Sequence, residues 1–209
     1  RENRICVRVN NEKMPNSRWY TGSGITRKVS LFIEELVHPL PDGIFFSTPK
    51  VSSALADCEV LTELENTTSQ PCHVTVTNRL SAPDGTTVLE LRNTAKCLPQ
   101  QTVTVRNAGS LESPSLWSPE TPSLYTLETF LSYQTDEGSV LTLVDSEKVG
   151  IRSLRFDPDL GLFLNDSPYL LKGVCVHEDA GCLGNAVPAA VWHRRLSKLK
   201  HMGCNAVRM

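Results

Sequence analysis

The run Tyr125-Thr126-Leu127-Glu128-Thr129-Phe130-Leu131-Ser132-Tyr133 alternates with a period of two. Tyr125, Leu127, Thr129, Leu131 and Tyr133 fall on one face, and Thr126, Glu128 and Ser132 fall on the other, which is the pattern of a half-buried strand. Outward from it, short β-rich runs recur between turn clusters. Ile44-Phe45-Phe46 precedes Thr48-Pro49. Val51 to Leu64 ends at Glu65-Asn66-Thr67-Thr68. His73 to Thr77 sets Val74 and Val76 on one face before Ala82-Pro83-Asp84-Gly85. Thr86 to Leu91 and Thr102 to Val105 continue the series, and Asp136-Glu137-Gly138 turns the chain into Val140 to Val144. Seven or so strands without helical periodicity predict an antiparallel, immunoglobulin-like β-sandwich over residues 39–150. Within it, Pro119 and Pro122 fix an extended loop after Trp117. Trp117 is expected to plug an apolar gap at the domain edge; an exposed aromatic binding platform is the sharper alternative.

Residues 1–38 read differently. Ile5 to Val9 alternates like a strand, a turn-rich stretch runs from Asn10 to Asn16, and Val29 to Ile33 is a second strand-like run. Two strands joined by a long loop do not make an independent sheet, so this segment reads as the tail of a larger one. Gly22 and Gly24 precede no helical pattern, which favours a tight loop over a phosphate cradle.

Residues 151–209 change register again. Phe156 to Pro168 is a small hairpin with its turn at Asn165-Asp166. It feeds Tyr169-Leu170-Leu171-Lys172-Gly173-Val174-Cys175-Val176-His177-Glu178-Asp179, an apolar strand with three polar residues at its tip. Pro188 to Met202 is helix-like. Asn185 is its expected N-cap, Trp192, Leu196, Leu199 and Met202 its apolar stripe, and Gly203 its stop. Arg194, Arg195, Lys198 and Lys200 set positive charge in the middle and last turns. Asn205 to Met209 is a second short strand. Strand, helix, strand with polar residues at the strand tips is how a (β/α)8 barrel begins. The fold class is therefore mainly β, with the opening βαβ unit of a barrel at its C-terminal end.

Composition narrows the function. The 209 residues are 40% hydrophobic and 21% charged, an ordinary globular balance. A net charge of −2 argues against a phosphate-neutralising nucleic-acid surface. No apolar run approaches the roughly 18 residues of a membrane-spanning helix, and no signal peptide opens the sequence. Any targeting segment would lie outside this piece, so a periplasmic, secreted or cytoplasmic location in a bacterium stays open, as does a homo-oligomer. Seven scattered cysteines form no CxxC pair and are expected as buried free thiols. Cys58 and Cys72 are too close in sequence for the usual inter-sheet bridge. Asn66-Thr67-Thr68 fits a glycosylation sequon, a triplet of little weight on its own.

His177, Glu178 and Asp179 are the dense polar cluster after an apolar strand. A zincin-type pair would need a second His where Gly181 stands, so no metal ligand set is expected. There is no GxSxG elbow. Adjacent carboxylates on one strand point in different directions and do not face each other across about 5 Å of substrate. The residues alone leave this cluster equally a structural turn and a binding site.

Several motifs, in order, resemble glycoside hydrolase family 2. Pro15 to Val29 looks like the end of that family's jelly-roll sugar-binding domain. Leu116-Trp117-Ser118-Pro119 with Pro122-Ser123-Leu124-Tyr125 is similar to its immunoglobulin-like domain. Leu171 to Gly184 resembles the first barrel strand and loop of its β-galactosidase members, and Leu199 to Arg208 resembles the second strand. Thr26 stands where the family usually has Tyr, and Met209 where it continues with Thr or Cys and then Ser-His.

The resemblance implies a fragment of a retaining β-galactosidase, with β-glucuronidase or β-mannosidase parents as alternatives. It implies that the acid/base and nucleophile Glu residues lie beyond Met209, so this chain has no catalytic residue of its own and is inactive alone. It gives His177 and Asp179 as contacts to sugar hydroxyls and Arg208 as a neighbour of the nucleophile; Glu178, where close relatives have His, faces the barrel wall or loop. No cofactor is required by these parts, and a metal ion in the whole enzyme stays open. The reading from a different class is a stand-alone carbohydrate-binding or adhesion sandwich that uses Trp117.

Overall fold

A computed structural model describes residues 4–10, 12, 24–135 and 138–209. It divides into two compact units: Ile33–Tyr169, and the residues up to Phe32 taken with Leu170–Met209.

The first unit is built on seven antiparallel strands: β1 Val37–Val51, β2 Leu55–Asn66, β3 Cys72–Ser81, β4 Thr87–Cys97, β5 Gln101–Glu112, β6 Tyr125–Thr135 and β7 Gly138–Val149. They form two sheets, ordered β1-β2-β5 and β4-β3-β6-β7. The alternation in β6 holds along its length, since Tyr125, Leu127, Thr129, Leu131 and Tyr133 are all buried. Strand boundaries differ from the sequence reading. Val51 ends β1 instead of opening the next strand, because Ser52 turns the chain there: its hydroxyl accepts from the Leu55 N–H at 3.0 Å and donates to the Leu55 carbonyl at 3.1 Å. β4 and β5 outrun their apolar runs because the ladder continues through residues whose side chains face water.

Two apolar clusters fill the sandwich. One holds Ala56, Cys58, Val60, Leu80, Leu111, Tyr125, Leu127, Val149 and Ile151. The other holds Val37, Leu64, Val74, Val76, Cys97, Val105, Leu131 and Tyr133. Between them each of four strands contributes one buried polar residue: Thr62 from β2, Asn78 from β3, Asn107 from β5 and Thr129 from β6. Asn78 Nδ2 donates to Thr129 Oγ1 at 2.9 Å. Asn107 Nδ2 donates to Asn78 Oδ1 at 2.6 Å and to the Val76 carbonyl at 3.2 Å. Thr62 Oγ1 and Asn107 Oδ1 have no protein partner. A polar layer therefore crosses the core at one level, bonded on one side and orphaned on the other.

Asn66 closes the same sandwich at the β2 end. It is fully buried, donates to the carbonyls of Gln70 at 2.9 Å and Cys97 at 3.3 Å, and accepts from the Thr68 N–H at 2.9 Å and hydroxyl at 2.7 Å. The sequon at Asn66 is thus a structural turn, with no free amide to carry a glycan. After β7, strands β8 Leu154–Asp157, β9 Gly161–Leu164 and β10 Ser167–Pro168 make a small meander. Its second turn lies at Asn165 and Asp166, with φ of 50° and 62°, the left-handed pair that the sequence placed there.

In the second unit, neither residues 4–10 nor 24–32 form a strand, although Ile5 to Val9 and Val29 onward have strand-like patterns. A strand must pair its backbone N–H and C=O groups, and among the described residues these segments have no pairing strand. The loop from Ser17 to Ser23 and the turn at Asp136-Glu137 lie outside the described residues. Cys6, Cys175 and Cys182 are exposed, not buried as expected, because they sit in segments that carry no apolar core.

Candidate functional site

The candidate site is built on a short parallel strand pair. β11, Gly173–Cys175, and β12, Ala206–Arg208, run side by side with Gly173 opposite Ala206, Val174 opposite Val207 and Cys175 opposite Arg208. Helix α1, Ala189–His201, connects them. Parallel strands need such a crossover. Gly173 allows the close approach: a Cβ there would lie 3.1 Å from the Ala206 carbonyl and 3.2 Å from its methyl.

Asn205 locks the start of the pair, a role the sequence reading missed. Its side-chain carbonyl accepts from the Lys172 N–H at 2.7 Å, its amide donates to the Leu170 carbonyl at 2.9 Å, and its own N–H donates to the Lys172 carbonyl at 2.9 Å. The signal was an amide side chain directly before a β-rich run, where it can satisfy backbone groups that a short ladder leaves open.

At the other end the ladder runs one bond further, from the Val176 N–H to the Arg208 carbonyl at 2.9 Å. His177, Glu178 and Asp179 follow immediately. Arg208 is the last residue of β12, so it and the polar trio occupy the same, C-terminal end of the strand pair. His177 and Arg208 are exposed and Asp179 is half-buried. The Arg208 guanidinium lies 3.9 Å from Cys175 Sγ. The Glu178 carboxylate meets the Arg27 guanidinium at 2.9 Å, both side chains more than half exposed. Such an exposed pair contributes little to stability. Beyond Asp179 the chain makes one 3-10 turn, Gly181–Leu183.

Pro188, not Asn185, is the N-cap of helix α1, and it gives no side-chain bond to the helix. Pro lacks an N–H, and its extended backbone is compatible with helix entry. Lys198, Lys200 and His201 do sit in the last turn, as the dipole favours. The apolar stripe is only partly covered, with Leu196 46% and Met202 72% exposed.

In the first unit a groove of about 530 Å³ opens between β1 and β7, lined by Phe45, Phe46, Trp117, Leu124, Glu147 and Arg152 among others. Trp117 is half-buried. Arg152 stands over its ring at 4.7 Å, and Gly150 packs so close that a Cβ there would fall 3.0 Å from Trp117 Cγ. One face of the indole is thus occupied by a cation. Burial, reinforced by Asp145, raises the Glu147 carboxyl above its ordinary range.

Among the described residues no group of three or more His, Cys, Asp or Glu is placed to hold a metal ion, and no helix is long and apolar enough to cross a membrane.

Comparison with known proteins assigns the chain. The family model described as Glycosyl hydrolases family 2 matches residues 43–152. The chain belongs to glycosyl hydrolase family 2. It is 35% identical over 206 residues to the β-galactosidase BoGH2A of Bacteroides ovatus, covering 99% of this chain and 24% of that protein. It is 29% identical over 207 residues to a putative β-glucuronidase of Formosa agariphila, covering 99% of this chain and 19% of that protein. A solved structure of a family 2 member from Bacteroides cellulosilyticus matches with a TM-score of 0.80 at 31% identity, over 96% of this chain and 27% of that one. A Bacteroides uniformis β-glucuronidase structure matches with a TM-score of 0.73 at 32% identity, over 83% of this chain and 21% of that one. The family 2 chain thus spans about a quarter or less of the relatives it matches.

Proposed function

We propose that this chain is an internal, non-catalytic part of a retaining glycosidase that hydrolyses terminal β-galactosides. In this reading residues 1–38 are the last part of a jelly-roll sugar-binding domain, 39–150 its immunoglobulin-like sandwich and 151–209 the opening of its TIM barrel. The observation that carries the proposal is the strand pair β11–β12, which ends in His177, Asp179 and Arg208 at one, C-terminal end. Parallel strands of a barrel present substrate-contacting residues at that end. His177 and Asp179 contact sugar hydroxyls, and a carboxylate there accepts hydroxyl hydrogen bonds that strengthen in the transition state. Arg208 orients a nucleophilic carboxylate supplied by a later strand. Retaining chemistry needs two carboxyl groups about 5–5.5 Å apart. Both come from beyond Met209, so the chain alone has no turnover.

The 35% identity to a β-galactosidase supports the galactoside reading. The resemblance to a β-glucuronidase structure at 32% identity favours the second reading, a glucuronidase parent. A substrate panel on the full-length enzyme decides. The expected result is hydrolysis of a chromogenic β-galactoside well above the matching β-glucuronide. Asp179→Ala is expected to lower kcat/KM roughly 10- to 150-fold, the range of one hydrogen bond to a charged group. Preference for the glucuronide overturns the galactoside assignment, and full activity of Asp179→Ala overturns the site. Turnover by the 209-residue chain alone would refute its non-catalytic role.

A further inference from the structure

Cys72 opens β3 and Cys97 closes β4, and the antiparallel register sets them directly opposite each other. Their side chains share the inward face. Cys97 is fully buried in the second apolar cluster, and half-buried Cys72 packs against the same cluster. Directly opposed antiparallel residues have Cα atoms roughly 4.5–5.5 Å apart. That lies inside the roughly 4.4–6.8 Å that a disulfide spans. Asn66 fixes the backbone on both sides, holding the carbonyl of Gln70 just before Cys72 and the carbonyl of Cys97 itself. Both thiols are free.

We propose that Cys72 and Cys97 are a redox-active pair that closes to a disulfide in the presence of a low-molecular-weight disulfide, clasping the edge strand β4 to β3. The Cys72 thiolate attacks one sulfur of the oxidant, forming a mixed disulfide and expelling one thiolate. Cys97, once deprotonated, attacks the Cys72 sulfur and expels the second. The protein loses two protons and two electrons, and the oxidant leaves as two thiols. Half-buried Cys72 is the entry point, and fully buried Cys97 resolves the intermediate. Burial raises both thiols above their ordinary range, and Cys97 adds to the rise at Cys72. Closure is therefore slow at neutral pH and faster in alkali.

The position gives the bond a consequence. β4 is an edge of its sheet, paired on one side only. The bridge closes the loop from residue 72 to residue 97 at the open end of the β3–β4 hairpin, where an edge strand would peel away first.

The test treats the folded chain with glutathione disulfide at pH 8.5, blocks the remaining thiols and maps the peptides. Trypsin leaves Cys72 on the same peptide as Cys58, and cleavage after Glu59 separates them. The expected result is one Cys72–Cys97 link, 2 Da lighter than the reduced pair, and a Tm raised by roughly 5–10 °C over the reduced chain. Dithiothreitol should reverse the gain. Cys97→Ala should abolish it, and Cys72→Ser, at the less buried position, keeps the comparison available if that variant folds poorly. Linkage only in denaturant, pairing of Cys72 with another cysteine, or a bridge that lowers Tm would each overturn the proposal. It stands independently of the glycosidase reading.

Discussion

Replacing Thr62 with Val should stabilise the sandwich, although Thr62 is a fully buried residue in the middle of β2. Its hydroxyl has no protein partner, so the folded state bears the cost of removing it from water without a compensating bond. An unsatisfied buried hydroxyl costs about 1–3 kcal/mol. Val keeps the branched shape and the strand preference, and position 62 stands between Val60 and Leu64 on the buried face of β2. The expected gain is about 1 kcal/mol, or a Tm increase of roughly 3–5 °C for a unit of this size. Thr129→Val is the internal control. It removes the acceptor of the 2.9 Å bond from Asn78 Nδ2 and strands a buried amide, so it should cost about 1–3 kcal/mol. Urea unfolding of wild type and both variants measures the difference, with unchanged m-values showing that only stability moved. Opposite signs are the signature. If Thr62→Val loses 1 kcal/mol or more, the hydroxyl is satisfied in solution and the orphan argument is wrong.

Three further outcomes follow from single side chains. Asn66→Ala removes four hydrogen bonds at a fully buried position and should destabilise by about 2–4 kcal/mol in the same assay; wild-type chain secreted from a eukaryotic host should show no glycan at Asn66 on endoglycosidase treatment. The raised Glu147 carboxyl keeps its proton in the folded state to higher pH than in the unfolded one. Stability should therefore fall as pH rises from about 4.3, the unfolded value, through the folded one, and Glu147→Gln should flatten that decline in a Tm-against-pH series. Asn205→Ala releases the Lys172 N–H and the Leu170 carbonyl, and hydrogen exchange at Lys172 should speed at least tenfold; unchanged exchange would show that the strand pair holds without this side chain.

The sandwich was legible because its strands are long enough for alternation to average over accidents. Over the nine residues Tyr125 to Tyr133 of β6 the burial alternates at every step, even where Phe130 sets an apolar side chain on the outer face. What escaped was polar. Asn78 and Asn107 lie beyond the apolar runs of their strands and Thr62 carries no apolar signal, so tertiary pairing is what puts them on the inner face; Thr129 alone was placed there by the alternation of β6. Asn66 was missed for the same reason. Its triplet suggested a surface modification, whereas its four bonds are made to groups up to 31 residues away. The strands expected at Ile5 and Val29 failed in the opposite direction: local pattern was present but no strand among the described residues pairs with it, and a strand is a property of a pair.

The candidate site shows how little local sequence is needed to fix a direction and how much is needed to fix a function. An apolar run ending in His177, Glu178 and Asp179, a helix, and a second run ending in Arg208 suffice to put four polar side chains at one end of two parallel strands, because a single crossover helix returns the chain in the same sense. The ladder itself is only three residue pairs long. Its register therefore depends on Asn205 at one end and on the Val176 N–H to Arg208 carbonyl bond at the other. A slip of one residue would turn Arg208 to the opposite face of the pair, since side chains alternate along each strand. Asn205, immediately before β12 and three residues ahead of Arg208, is thus a positioning residue for Arg208. If Arg208 orients a nucleophile in the full-length enzyme, loss of Asn205 should lower kcat and leave KM nearly unchanged, because the error falls on the reacting group and not on sugar binding.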